Sequence, residues 1–302
     1  MSHLPPVPAT RLLGNSDIEV SSLAWGMWRF NGDDVGAARA LVDAAFNAGI
    51  TFFDTADIYG CDTPAGWGSS EVLLGRVFEQ SPGLRDKMVL ASKGGISLGV
   101  PYNSSSDYIH AAVDASLTRL KTDRLDLWQI HRPDLLAHPQ DVARSLEDIV
   151  ASGKVRAVGI SNFTRAQTAA LRRYLTIPLV STQPEFSALQ LDPIETGLLD
   201  QAMKHGTSVL AWSPLDQGRI AEPTNVRERE VAAALDKIAL AQGVSRTAAA
   251  YSWIMAHPAG CIPIVGSQQV SRIAEAADAY KVQWTRADWY AVLVASRQEP
   301  LP

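Results

Sequence analysis

The 302-residue sequence predicts an α/β fold, a (β/α)8 TIM barrel with an N-terminal β-hairpin that caps the barrel bottom. Short apolar runs rich in β-branched and aromatic residues recur along the chain, and a stretch with helical spacing follows each of them. Eight such runs are present. Strands that alternate with helices pair in parallel, and this number of them in a chain of this length is typical of a closed barrel.

A short hairpin (residues 10–20) is expected before the barrel strands, because the segment TRLLGNSDIEVSSL has Asn15 and Ser16 near a turn. The eight strand segments are SSLAWGMW, TFFDTADIYG, KMVLASKGG, RLDLWQIHRPD, KVRAVGISNF, LVSTQPEF, TSVLAWSPL and CIPIVGS. Parallel barrel strands have their carboxyl ends at one mouth, and functional side chains collect there.

Helical spacing is clearest from Ser69 to Gln80 and from Asp107 to Leu120. The alanine-rich stretch from Arg229 to Ala256 breaks at Gly243, and Ser245 is a suitable N-cap for a second helix. We expect this alanine-rich stretch to serve as scaffold.

Composition and charge argue against several classes of function. The net charge of −5 offers no surface for a polyanion, so nucleic acid is not an expected partner. No apolar run approaches the roughly 18 residues of a membrane span, and the N-terminus lacks the apolar core of a signal peptide. Cys61 and Cys261 are too few for a disulfide framework, so we expect a cytoplasmic location. No linker divides the chain, and residues 1–302 are expected to form one domain of undetermined oligomeric state.

Four side chains at the ends of apolar runs indicate catalysis: Asp54, Tyr59, Lys93 and His131. Singly, each has a simpler explanation, as a cap, a half-buried aromatic, a solvated charge or a packed barrel residue. At one barrel mouth, however, a tyrosine and a lysine make an acid–base pair, and a carboxylate and an imidazole complete a proton-delivery site. The sequence therefore predicts reductase chemistry.

The same residues fall in motifs that resemble those of the aldo-keto reductases. The motifs are FDTADIYG, SEVLLG, ASKGG, IHRPD, VRAVGISNF, TQPEFS, LAWSPL and PIVGSQQVSRI, in the order that the family has them. The resemblance runs from the first strand to beyond residue 280. It implies a (β/α)8 barrel and hydride transfer between a nicotinamide cofactor, usually NADP(H), and a small-molecule carbonyl or alcohol.

The resemblance also implies roles for the four residues. Tyr59 would protonate the carbonyl oxygen, although a free phenol with a pKa near ~10 is a poor proton relay at neutral pH. Lys93 would lower that pKa by stabilising the phenolate, and Asp54 would keep Lys93 charged. His131 would donate a hydrogen bond that orients the carbonyl. This chemistry requires no metal.

The chain has no GxGxxG after its first strand and no P-loop, so two common nucleotide-binding motifs are absent. The resemblance implies instead that Ser161, Asn162 and Gln183 hold the nicotinamide carboxamide, whose polar groups suit hydroxyl and amide side chains. Trp212 would stack on the ring, where many relatives have Tyr. The implied cofactor-binding residues are Met27, Trp28, Asp54, Ser161, Asn162, Gln183, Trp212, Ser213, Pro214, Leu215, Gly218, Gly266, Ser267, Gln268, Arg272 and Glu275.

The segment from Gly266 to Ile273 matches the part of the family that binds the adenosine 2′-phosphate. Ser267 and Arg272 would bind that phosphate. Gln268 stands where many relatives have Lys or Arg, and would offer a hydrogen bond in place of a charge; Ala276 stands where many have Asn. NADP(H) is therefore the preferred cofactor, and NAD(H) is the alternative.

The sequence determines the substrate pocket less well. Trp28 and Trp67 either form aromatic walls, which would suit aromatic or apolar aldehydes and ketones, or are barrel-top packing and an exposed loop residue. Trp128 has the opposite strand parity to His131 and is expected to face the helices. Residues 216–226 are short for a strap over a cofactor.

The favoured function is an NADP(H)-dependent carbonyl reductase. A cofactor-sensing regulatory subunit with little turnover is the main alternative, but it would not need the complete proton-delivery set. A metal-dependent barrel hydrolase is a third, for which the six scattered histidines supply no HxH or HExxH motif.

Overall fold

A closed eight-stranded barrel forms the centre of the computed structural model, which describes residues 3–300. Two short antiparallel strands, β1 (Thr10–Leu12) and β2 (Glu19–Ser21), precede it. The barrel strands are β3 (Ala24–Gly26), β4 (Phe52–Asp54), β5 (Val89–Gly94), β6 (Leu125–Ile130), β7 (Val155–Ser161), β8 (Leu179–Gln183), β9 (Ser208–Ala211) and β10 (Ile262–Val265). Strand β10 pairs in parallel with both β3 and β9, which closes the sheet. The predicted (β/α)8 fold is confirmed.

Helices surround the barrel and connect its strands. Among the described residues they are α1 (Val35–Asn47), α2 (Ser69–Glu79), α3 (Ser106–Leu120), α4 (Pro139–Ala151), α5 (Arg165–Arg172), α6 (Asp192–Glu195), α7 (Leu198–His205), α8 (Val226–Gln242), α9 (Arg246–Met255), α10 (Val270–Ala276) and α11 (Arg286–Arg297). Short 3-10 turns lie at Arg85–Lys87, Asp216–Gly218 and Ala277–Lys281.

Capping residues explain where these helices begin and end. Asn225 and Glu228 form a capping box at the start of α8. Gly243, with a φ of 67°, ends that helix, and Ser245 caps α9 as predicted. The two helices with the clearest spacing, α2 and α3, lie within one residue of their predicted ends.

The N-terminal hairpin closes the bottom of the barrel. Leu13, Ile18 and Val20 share one buried cluster with inward-facing residues of the barrel strands. Gly14 turns with a φ of 55°, and a Cβ atom there would lie 2.2 Å from the carbonyl oxygen of Val180, so only glycine allows this close approach. The predicted cap is confirmed.

A larger core lies between the barrel and its helices. Trp128 is fully buried in it, together with residues of α1 to α4, so its predicted orientation is confirmed. Across residues 3–300, no helix combines the length and apolar character needed to cross a bilayer.

Candidate active site

A cleft of about 1240 Å³ opens at the carboxyl ends of the barrel strands. Its wall contains every residue that the sequence assigns to catalysis or cofactor binding except Lys93 and Met27. Lys93 is fully buried behind the wall. Met27 is also fully buried, but it lies in the core between the barrel and the helices. Its side chain therefore does not line the cleft, although the sequence resemblance assigns Met27 to cofactor binding. The barrel thus gathers residues from distant parts of the chain around one opening.

Lys93 and Asp54 form a buried ion pair beneath the cleft. Lys93 Nζ donates to Asp54 Oδ2 at 2.6 Å and to the Thr55 carbonyl at 2.7 Å. The side-chain amides of Gln183 and Gln129 donate to Asp54 Oδ1, at 3.0 and 3.4 Å. Burial acts to lower the pKa of Lys93, but the opposing effect of Asp54 and Tyr59 is larger and the pKa is raised. Lys93 is therefore an ammonium group at neutral pH.

Tyr59 lies between this ion pair and the open cleft. Its ring centroid is 5.0 Å from Lys93 Nζ, 5.1 Å from the ring centroid of Trp28 and 5.9 Å from that of His131. Burial raises the pKa of Tyr59 above its usual value, while the charge of Lys93 acts to lower it. Lys93 thus acts on this pKa in the expected direction, but burial, together with the negative charges of Asp54 and Asp57, exceeds its effect. Tyr59 keeps its proton at neutral pH.

His131 follows β6, and its backbone N–H donates to the Gly94 carbonyl at 2.8 Å. Burial, followed by the positive charges of Lys93 and Arg132, lowers the pKa of His131 well below its usual value. The imidazole is therefore neutral at physiological pH and carries one N–H. It is suited to donate a hydrogen bond to an oxygen atom in the cleft without adding a second cation beside Lys93.

The residues expected to hold the nicotinamide carboxamide form a connected network. The Ser161 hydroxyl donates to the Gln183 carbonyl at 2.9 Å, and Asn162 Nδ2 donates to Ser161 Oγ at 2.8 Å. The indole N–H of Trp212 donates to Asn162 Oδ1 at 3.0 Å, which fixes both side chains. Asn162 has a φ of 61°, a backbone conformation that asparagine tolerates better than most residues. The side-chain carbonyl of Gln183 has no bond to another described residue and remains able to accept one from an amide.

The segment 266–269, expected to bind the cofactor phosphate, is tied to β3. The Trp25 indole donates to the Ser267 carbonyl at 2.9 Å, and Gln268 Nε2 donates to the Gly26 carbonyl at 3.0 Å. One N–H of the Gln268 amide is thus engaged with the barrel, which leaves its second N–H for the expected hydrogen bond to a phosphate. Arg272 lines the cleft, is exposed and forms no ion pair with another residue between 3 and 300.

Three arginines of the cleft wall, Arg29, Arg132 and Arg219, were not assigned to the site from the sequence. Arg29 and Arg132 line the cleft, directly after the predicted Trp28 and His131. Arg132 Cζ lies 5.8 Å from the ring centroid of Trp212, within the range of a cation–π contact. Adjacency to predicted site residues was the available signal for Arg29 and Arg132.

Helix α9 also contributes to the wall, although its alanine-rich sequence indicates only scaffold. Thr247 and Tyr251 line the cleft, and their spacing of four places them on one helix face. Gln129, which supports Asp54, is a fully buried amide in β6, a strand whose one other polar residue is Asp126. A polar residue buried within a mainly apolar strand was the sequence signal for that support.

Trp28 and Trp67 take different positions. Trp28 lines the cleft and is 48% exposed, whereas Trp67 is half-buried in the loop before α2 and does not line it. Residues 216–226 contain a short 3-10 turn, held by an ion pair of 2.8 Å between Arg219 and Asp216. In the described part of the chain, no three His, Cys, Asp or Glu side chains are arranged to hold a metal ion.

Comparison with known proteins agrees with this geometry. The chain is 60% identical over 304 residues to the 6-dehydroglucose reductase of Novosphingobium aromaticivorans, with full coverage of both proteins. It is 37% identical over 293 residues to the 6-dehydroglucose reductase of Agrobacterium fabrum, covering 93% of this chain and 95% of the relative.

A crystal structure with the same fold is that of a thermostable aldo-keto reductase in complex with the inhibitor epalrestat. Its TM-score is 0.81 at 23% identity, and the match covers 95% of this chain and 99% of that one. The profile of the Aldo/keto reductase family matches residues 22–293. The chain is a member of the aldo/keto reductase family.

Proposed function

We propose that this protein reduces the aldehyde group of a sugar such as 6-dehydroglucose to the primary alcohol, with NADP(H) as cofactor. The observation that supports it most directly is the buried pair of Lys93 and Asp54 beneath Tyr59, with neutral His131 at the cleft wall. The names of two relatives, at 60% and 37% identity, supply the substrate.

The four residues divide the proton chemistry among them. Tyr59 donates its phenolic proton to the carbonyl oxygen, and the Lys93 ammonium stabilises the phenolate that remains. Asp54 keeps Lys93 charged and in place, while His131 donates a hydrogen bond to the same carbonyl oxygen. When bound, the nicotinamide supplies a hydride to the carbonyl carbon.

The cleft provides groups suited to each part of such a cofactor. The free side-chain carbonyl of Gln183 accepts from the carboxamide, and Trp212 offers a flat surface for the ring. Ser267 and Arg272 bind the 2′-phosphate, where the unpaired guanidinium of Arg272 supplies the charge. Selection of NADP(H) over NAD(H) therefore depends chiefly on Arg272.

The polar wall of the cleft suits a sugar better than a purely apolar carbonyl compound. Arg29 and Arg132 line the cleft without an ion-pair partner among residues 3–300. A guanidinium has five N–H donors, which match the oxygen atoms of a hydroxylated substrate. Trp28 adds an aromatic surface against which a sugar ring packs.

The test follows NADPH absorbance with purified protein and 6-dehydroglucose, with glucose identified as the product. Hexanal and an aromatic aldehyde serve as comparison substrates without hydroxyl groups. We expect the highest kcat/KM with the sugar. NADPH binding without consumption of any aldehyde would instead support the regulatory alternative.

A further inference from the structure

A second buried carboxyl group lies on the loop that carries Tyr59. Asp57 is 2% exposed, and its backbone N–H donates to the Lys93 carbonyl at 2.9 Å. Its Oδ2 lies 3.1 Å from the hydroxyl oxygen of Tyr108 in α3. Its Oδ1 is buried and has no hydrogen-bond partner among the described residues. The proton transfer proposed above uses neither Asp57 nor Tyr108.

The Tyr108 hydroxyl has three polar neighbours but one proton. Besides Asp57, it lies 2.7 Å from the Ile96 carbonyl and accepts from the Gly95 N–H at 3.3 Å. A hydroxyl donates once and accepts twice, and a carbonyl oxygen only accepts. If the phenolic proton goes to Ile96, the contact with Asp57 is a hydrogen bond only when the carboxyl group carries a proton and donates it. A neutral Asp57 satisfies all three contacts, whereas a carboxylate leaves one of two acceptors unsatisfied.

We propose that the protonated form of Asp57 is the working form and that it makes, with Tyr108, a positioning pair for the catalytic loops. The pair joins the loop after β4, which carries Tyr59, to the residues that directly follow Lys93. This inference rests on the proposed function, because the residues it positions are those of the proposed proton transfer.

His131 is connected to the same segment. Its backbone N–H donates to the Gly94 carbonyl, and a Cβ atom at Gly94 would lie 3.1 Å from Asp57 Oδ2 and 2.8 Å from the Trp128 ring. Asp57 therefore packs directly against the backbone that holds His131. A shift of the carboxyl group displaces three catalytic side chains together.

Charged groups from neighbouring elements face Asp57. Burial and then the negative charge of Glu71 in α2 raise the pKa of Asp57 to about 7, against the opposing effects of Tyr108 and Arg119 in α3. Arg119 also binds Glu71, at 2.7 Å. On the cleft side, ionised Asp57 raises the pKa of Tyr59.

The raised pKa fixes the sign of the pH dependence. The folded protein holds a proton that the unfolded chain releases above about pH 4, so this group's contribution to stability falls as the pH rises from about 4 to about 7. Ionisation also leaves the Asp57 carboxylate and the Ile96 carbonyl as two acceptors for the single phenolic proton of Tyr108. Both effects are absent when residue 57 cannot ionise.

Asp57→Asn and Tyr108→Phe test the pair. The asparagine amide still donates to Tyr108, so we expect Asp57→Asn to keep at least half of the wild-type kcat at about pH 6. Between about pH 6 and about pH 8, the kcat of this variant should fall by less than that of the wild type. The melting temperature of Asp57→Asn should rise relative to that of the wild type as the pH increases from about 4 to about 7. Tyr108→Phe should lower kcat about tenfold with less than about a twofold change in the Kd of NADPH. Tyr102→Phe is the matched control, because Tyr102 lies on the loop between β5 and α3, is exposed, and has a hydroxyl with no partner in the described residues.

Carbon NMR of the Asp57 carboxyl group, identified by its absence in Asp57→Asn, measures the protonation directly. A titration midpoint near 7 supports the proposal, and a midpoint below about 5 overturns it. It is also overturned if Asp57→Asn loses as much activity at about pH 6 as Tyr108→Phe. If the wild type reduces no carbonyl, the proposed function fails, while the NMR and melting data still decide the state of Asp57.

Discussion

Tyr59 is subject to two opposing electrostatic effects. Burial favours the neutral phenol, and the adjacent Lys93 ammonium favours the phenolate. The phenol therefore keeps its proton in the resting protein. In the proposed reaction, Lys93 stabilises the negative charge that appears when the proton leaves, and the proton passes to a carbonyl oxygen that gains charge as it is reduced.

Tyr59→Phe should lower kcat for aldehyde reduction by about 10²-fold or more, because it removes the proton donor and keeps the ring. The Kd of NADPH should stay within about twofold of the wild-type value. Steady-state kinetics and a fluorescence titration measure the two quantities, with the exposed Tyr290→Phe as control. Turnover near the wild-type level would refute the role of Tyr59.

Lys93→Met should slow the same step and move the alkaline limb of the pH–rate profile to higher pH. The substitution removes the one effect that lowers the pKa of Tyr59 and leaves the effect of burial. It also leaves Asp54 buried without its cation, which costs about 3–5 kcal/mol of unfolding free energy. Kinetics across pH, taken below the measured melting temperature, decide the matter; an unchanged alkaline limb would contradict the assignment.

The sequence predicted some of these residues and not others. Asp54, Tyr59, Lys93 and His131 were predictable because each follows or ends an apolar strand segment. The net direction of the Tyr59 pKa was not, because it depends on burial. The pairing of Asp57 with Tyr108 was equally hidden, since it joins a strand loop to a helix 51 residues away.

At the scale of elements, the barrel holds the segment 266–269 in a fixed position. Its bonds to Trp25 and Gly26 hold the backbone against β3, so the loop is ordered by the barrel. Gln268 takes part in this anchoring, and its replacement of a common Lys or Arg therefore had a structural meaning that the motif alone did not reveal. Arg272 is left as the cation facing the expected phosphate position.

Arg272→Ala should reduce the preference for NADPH over NADH by about tenfold or more, because it removes a charge-assisted contact to the 2′-phosphate. The Kd of NADH should change little. Isothermal titration with both cofactors measures the ratio. Arg286→Ala removes the same charge from an exposed position outside the cleft and controls for net charge. An equal loss of NADPH preference in both variants, or a wild type that prefers NADH, would contradict the assignment of the phosphate site.

Close packing between α2 and α3 supports the loop that carries Tyr59. A Cβ atom at Gly75 would lie 2.1 Å from the Arg119 carbonyl oxygen, so Gly75→Ala must separate the helices. We expect a loss of about 1–3 kcal/mol in the free energy of unfolding. Gly36→Ala, in an exposed part of α1, should be close to neutral, because the gain in helix propensity is offset by a 3.2 Å approach of the new Cβ atom to the Asp34 side chain, which can shift. Urea denaturation compares them, and equal stabilities would show that the helices can separate without cost.

At the scale of the whole molecule, periodicity predicted the barrel well because eight repeated strand–helix units allow few other arrangements. The hairpin cap was also predictable from its turn residues and from its position before the first barrel strand. The composition of the cleft was harder to foresee. Its wall combines loops after many strands with Thr247 and Tyr251 of α9, and such contacts depend on closure of the barrel rather than on local sequence.

Transfer of deuterium from labelled NADPH to 6-dehydroglucose tests the central claim most directly, because it follows the reducing equivalent into the product. The account predicts that the wild type forms glucose with one deuterium at carbon 6 and an equal amount of oxidised cofactor, and that Tyr59→Phe forms almost none over the same time. Mass spectrometry of the product measures both. Bound but unconsumed NADPH in the presence of the sugar, or label-free glucose, would contradict the proposed reduction.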